Sequence, residues 1–104
     1  MSVVACPMAV VNAPAETIWR LVTSPVEVAR WTETRLVDGP HRPMQPGDRV
    51  TFRAGPGLHV VFRVLDADPP RRLAIDVDLP FGVVNHEVLQ VQPLDDGRCR
   101  VAFG

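Results

Sequence analysis

A chain of 104 residues, 46% hydrophobic and 22% charged, is long enough for one hydrophobic core, too short for two and too apolar to stay disordered. Eleven basic residues, all arginine, stand against twelve acidic ones, and the net charge of -1 with no basic run excludes the electrostatic footprint of a nucleic-acid or anionic-membrane binder. No stretch approaches the roughly 18 apolar residues that a membrane helix needs, and the start Met1-Ser2-Val3-Val4-Ala5-Cys6-Pro7 carries no basic leader, so a cytoplasmic protein is expected.

Val3 to Val11 is rich in valine and alanine and reads as a first strand, placed at a sheet margin because Pro7 cannot donate to a ladder. From Ala13 the period changes. Pro14 suits the first turn of a helix, and Ala15, Ile18, Trp19 and Val22 recur at helical spacing over about two turns. Ser24-Pro25-Val26-Glu27 has the form of a capping box, which starts a second short helix running to about Trp31.

Beyond Trp31 the period drops to two. Strands are expected over Thr34 to Val37, Arg49 to Arg53, Leu58 to Leu65, Arg72 to Leu79, Val83 to Gln92 and Arg98 to Phe103, separated by turns rich in Asp, Gly and Pro. With the first strand this makes about seven strands and two short helices, an α+β fold built on an antiparallel sheet.

Alternation along the strands assigns two faces. Val60, Phe62 and Val64 share one face with Leu73, Ile75, Val77 and Leu79, with Leu89 and Val91, and with Cys99, Val101 and Phe103. The other face carries His59, Arg63, Asp76, Asp78, His86, Gln90, Arg98 and Arg100, read as solvated cross-strand pairs. This parity removes the strand His, Asp and Arg residues from any inner pocket. Asn85 and Glu87 alone remain as polar residues of inward parity.

The order strand, two helices, six strands is joined by Ala13-Pro14-Ala15-Glu16-Thr17-Ile18-Trp19, Pro46-Gly47-Asp48-Arg49-Val50, Asp68-Pro69-Pro70-Arg71-Arg72-Leu73 and the Asp96-Gly97 turn. Together these resemble the SRPBCC, or START-like, superfamily, in its polyketide cyclase/dehydrase-type branch. The resemblance covers nearly the whole chain and implies one domain over residues 1–104. It also implies a helix-grip fold, in which a curved antiparallel sheet holds a long C-terminal helix and an apolar ligand lies between them. The sequence departs from this pattern by ending at Val101-Ala102-Phe103-Gly104, inside the last strand, so the long C-terminal helix is expected to be missing, either because the chain is a fragment of a longer one or because something else covers the inner face.

An uncovered row of large apolar residues cannot stay wet, since burying each is worth about 1.5–3 kcal/mol. The expected occupants are an apolar small molecule, lipid or polyketide-like, and a second copy of the chain covering the inner face as a homodimer. The candidate binding residues are Trp31, Phe52, Val60, Phe62, Ile75, Val77, Leu79, Phe81, Asn85, Glu87 and Leu89. Glu87 is the candidate acid or base for a cyclase- or dehydratase-type reaction. The alternatives are a bulge that turns Glu87 to solvent, or a pairing with arginine. Trp31 and Phe81 fall at element ends beside Gly or turn residues, and each reads as pocket wall or as core; Trp19 reads as core.

His59 and His86 fall on the outer face and His41 in a Pro-rich loop, none at a metal-ligand spacing. Gly55-Pro56-Gly57 lacks the ending of a phosphate loop. No metal and no cofactor is expected. Cys6 and Cys99 form no Cys-x-x-Cys motif and read as two buried thiols, on neighbouring strands if the family's strand order holds.

Overall fold

The structure, a computed structural model, describes residues 8–104. The expected strand over Val3 to Val11 is described from Met8 onward, as β1 (Met8–Val11); Cys6 and Pro7 lie outside the described residues. Two helices follow, α1 (Ala15–Thr23) and α2 (Pro25–Trp31). The remaining strands are β2 (Arg35–Asp38), β3 (Arg49–Gly55), β4 (Leu58–Asp68), β5 (Arg72–Asp78), β6 (Val84–Pro93) and β7 (Cys99–Phe103). A single 3-10 turn, Pro80–Gly82, separates β5 from β6.

The seven strands among the described residues form one antiparallel sheet in the order β1-β7-β6-β5-β4-β3-β2, an α+β architecture of the helix-grip kind. β1 lies at the margin of the sheet, as expected. Because β1 and β2 occupy opposite edges, the two helices between them must cross the sheet, and they pack on one face of it. From α1 the core takes Ala15, Ile18 and Trp19, and from α2 Val28 and Ala29. From the sheet it takes Val50, Phe52, Val64, Leu73, Leu89, Val91, Cys99 and Val101. These sheet residues have the inward parity that alternation assigns.

The helix ends differ from expectation in an instructive way. Pro14 is the N-cap of α1, and its carbonyl accepts from the N–H groups of Thr17 and Ile18. Ser24 caps α2 with Pro25 at the first helical position, but no capping box forms. The Ser24 N–H is already committed to the Arg20 carbonyl at 3.0 Å, closing α1, so Glu27 has no cap donor to accept from. Its carboxylate lies 3.2 Å from Arg30 instead. At the other end of α2 the Thr34 N–H reaches the Ala29 carbonyl at 2.9 Å and Glu33 that of Arg30 at 3.3 Å, a Schellman closure that places Glu33 at φ 58.

The loop between β2 and β3 is fastened from inside. Thr23 donates its hydroxyl to the Trp19 carbonyl at 2.6 Å, its own carbonyl accepts from the Met44 N–H at 2.9 Å, and the Met44 side chain is buried beneath. Gly39 in the same loop lies close against the sheet, where a Cβ would stand 2.9 Å from Val50 Cγ1. The pairing register shifts at three points, between Leu36 and Asp38, between Arg53 and Gly55, and between Val64 and Asp66. Such bulges bend a strand and raise its twist.

The expected outer face needs two corrections. Asp76 is not solvated: its side chain is only 13% exposed, wedged between Arg63 on β4 and His86 on β6, the residues directly opposite it in register. Arg98 precedes β7 and pairs with Asp96 inside the hairpin at 2.6 Å rather than across strands.

Candidate functional site

The helices cover the part of the inner face nearest Val50, Phe52 and Val91 and leave an apolar trough over the rest. The trough has two adjoining chambers with a shared wall of Val22, Trp31 and Phe103. The larger, about 530 Å³, lies between β1, β7 and the helices, against Val11, Ile18, Leu21 and Val101. The smaller, about 230 Å³, lies over the middle of the sheet against Phe62, Leu73, Ile75, Val77 and Leu89. The amphipathic period of α1 aims Ile18, Leu21 and Val22 along one helix face, i, i+3 and i+4, which is why one helix lines both chambers.

Polar groups are few. Glu27 and Arg30, paired with each other, border the larger chamber, and Glu87 borders the smaller. Glu87 sits opposite Ile75 in the unbroken β5–β6 register, half-buried, so no bulge turns it outward, and it has no arginine partner among the described residues. Trp31 is a fixed part of the wall because its indole N–H donates to the Leu21 carbonyl at 2.9 Å while 49% of the residue stays exposed.

Of the candidate binding residues, Trp31, Phe62, Ile75, Val77, Glu87 and Leu89 meet around the smaller chamber. Val60 and Leu79 are half-buried on the same face beyond its edge. Phe52 lines neither chamber: it is 1% exposed, its ring 5.0 Å from that of Phe62 and inclined at 61°, so it backs the wall rather than forming it. Phe81 stands outside at 96% exposure, because it adopts a left-handed φ of 69 in the turn Pro80–Gly82. Asn85 has inward parity opposite Val77 but is exposed near the start of β6, away from both chambers. The wall residues contributed by α1 and β1 escaped the reading of strand parity, which cannot see what a helix brings to the opposite side.

On the outer face Arg63 holds the Asp78 carboxyl below its ordinary value, chiefly by hydrogen bonding. Arg42 does the same for Asp48 in the β2–β3 loop. Burial pushes the Cys99 thiol up, which keeps it protonated and inert inside the core. Among the described residues no three His, Cys, Asp or Glu side chains gather where a metal ion could sit, and no helix is long and apolar enough to cross a membrane.

Solved structures with this fold place the chain among known proteins. A protein of Thermobifida fusca is 30% identical over 94% of this chain and 68% of its own, with a TM-score of 0.70. CalU16 from Micromonospora echinospora is 21% identical, with a TM-score of 0.69 over 92% of this chain, and an Aha1 dimer protein from Colwellia psychrerythraea is 16% identical, with a TM-score of 0.72 over 94%. The chain spans 56% of the length of CalU16 and 36% of that of DynU16, a protein of the dynemicin biosynthetic locus. No curated protein matches it. The profile of the family described as polyketide cyclase/dehydrase and lipid transport matches residues 8–104, and the chain belongs to that family.

Proposed function

We propose that the trough binds an apolar small molecule, of lipid or polyketide-like character, with Glu87 orienting its polar end. The observation that carries this reading is the pair of adjoining apolar chambers with a single carboxylate in the smaller. Pockets of a few hundred Å³ lined by apolar side chains with few polar groups are the usual form of small-molecule sites. The family's lipid-transport and cyclase description agrees with such a ligand. Calorimetric titration with fatty acids and with polycyclic aromatic ligands tests it. Val22→Trp, which fills the shared wall, should weaken binding at least about tenfold, a loss of about 1.4 kcal/mol. Heats indistinguishable from dilution for every ligand, or unchanged binding by a folded Val22→Trp variant, would sink the proposal.

Glu87 supports a second reading, a cyclase- or dehydratase-type reaction with this carboxylate as acid or base, because among the described residues it is the one titratable group facing the smaller chamber. Glu87→Gln should then abolish turnover while leaving ligand affinity nearly unchanged. A fully active variant removes the role. A third reading is a homodimer in which a second copy covers the trough; the Aha1 dimer shows that this fold is found in dimers. The native mass by light scattering separates a covered trough from an open one.

A further inference from the structure

The trough makes no use of a second cluster, on the outer face near the β2 edge. Arg35 on β2 and Arg53 on β3 are direct antiparallel partners, and Arg53 is paired in turn with His59 on β4. Like charges at directly opposed positions repel, so a sheet gains nothing from this row by itself.

Most arginines of this chain have a carboxylate partner. Six of its eleven arginines hold a carboxylate: Arg30, Arg42, Arg63, Arg71, Arg72 and Arg98. Arg35 and Arg53 hold none among the described residues, and residues 1–7 contain no Asp or Glu. Both are exposed and border an open hollow of about 470 Å³ between Glu33 and Thr34 at the end of α2 and Ala54–Pro56 of the β3–β4 hairpin. The hollow's frame is built on both sides. The Schellman closure of α2 sets where β2 begins, and the irregularity between Arg53 and Gly55 bends β3 just past the arginine.

We propose that Arg35 and Arg53, with His59 at the end of the row, form a binding site for an oxyanion, a phosphate or carboxylate group, on the face opposite the trough. Guanidinium groups on adjacent strands, whose backbones run about 4.8 Å apart, can reach the oxygens of one such group and offer it forked donors. Glu33 on the rim repels the same ligand and keeps the affinity modest. The site is independent of what the trough binds.

The test is a titration followed by backbone amide NMR shifts, with inorganic phosphate and with acetate, each against chloride at equal ionic strength. Saturable shifts centred on Arg35, Arg53 and Ala54 are expected. Arg53→Gln should raise the dissociation constant at least about tenfold, Glu33→Gln should lower it, and Arg42→Gln, whose guanidinium already faces Asp48, should leave it unchanged. Saturation by phosphate alone assigns the site to a phosphate group, and by acetate alone to a carboxylate. Shifts no larger than those in chloride, or shifts that persist in an Arg35→Gln/Arg53→Gln double variant, overturn it. Because the double variant removes a repulsion, its melting temperature in chloride should match or exceed that of the parent, which separates lost binding from lost folding.

Discussion

Arg63 grips Asp78 with two hydrogen bonds, Nε donating to Oδ2 at 2.9 Å and Nη2 to Oδ1 at 2.8 Å. The grip is diagonal, since the residue directly opposite Arg63 is Asp76, whose Oδ2 lies 3.5 Å from the same Nη2. One guanidinium thus spans two carboxylates of β5, and His86 closes the row on the far side of Asp76. Forked geometry of this kind is what distinguishes a useful surface ion pair from an idle one.

Acid should loosen the fold through these pairs. Asp78 is held below its ordinary value of 3.8 by Arg63, Asp48 by Arg42, and Asp96 by the Arg98 backbone N–H and side chain. A carboxyl that binds its proton less readily folded than unfolded contributes stability that is complete above the ordinary value and is lost as pH falls through the lower folded one. Urea midpoints measured from about pH 6 down to about pH 2 should therefore fall at the acid end. Asp78→Asn should flatten that limb, and an unchanged slope in the variant would exclude Arg63 and Asp78 as its source.

Among the described residues two occupy the left-handed region without being glycine, Glu33 at φ 58 and Phe81 at φ 69. This conformation costs an ordinary residue about 1–2 kcal/mol. Glu33→Gly should stabilise the fold by up to about 1 kcal/mol, part of the gain being offset by the freer unfolded chain. Phe81→Asn should stabilise or be neutral, since the exposed ring has little packing to lose. Thermal melts decide both, and a fall in melting temperature for Glu33→Gly would mean that its side chain, rather than its backbone, closes α2.

Phe52 and Ile75 separate structure from binding. Phe52 is buried behind the wall, so Phe52→Ala should cost about 3–5 kcal/mol, a large share of the roughly 5–15 kcal/mol of a typical domain. Ile75 is half-buried and faces the smaller chamber, so Ile75→Ala should cost less than about 2 kcal/mol and should change which ligands are accepted. Equal losses in denaturant melts would show that the chamber at Ile75 is closed in solution.

The architecture was largely legible because the sheet is long and its period is clean. Strand parity placed Leu73, Leu89, Val91 and Val101 inside, and the spacing of Ile18 and Trp19 placed α1 on them. Depth along the sheet was not legible, because parity gives the face of a residue but not whether a helix lies over it. Phe52 and Phe62 share a face, yet only Phe62 reaches a chamber. At Phe81 local backbone decides: a left-handed turn beside Gly82 carries to solvent a side chain whose place between two strands gave no parity to read. The capping box failed for a bonding reason invisible to a motif, the prior claim of Arg20 on the Ser24 N–H.

The tethered indole of Trp31 has a practical consequence. The chain has two tryptophans and no tyrosine, and the other tryptophan, Trp19, is 8% exposed in the core. Any occupant of either chamber displaces water from Trp31 and leaves the surroundings of Trp19 as they were. Intrinsic fluorescence therefore contains both a reporter of occupancy and an internal reference, and filling the trough should blue-shift the emission of one ring alone.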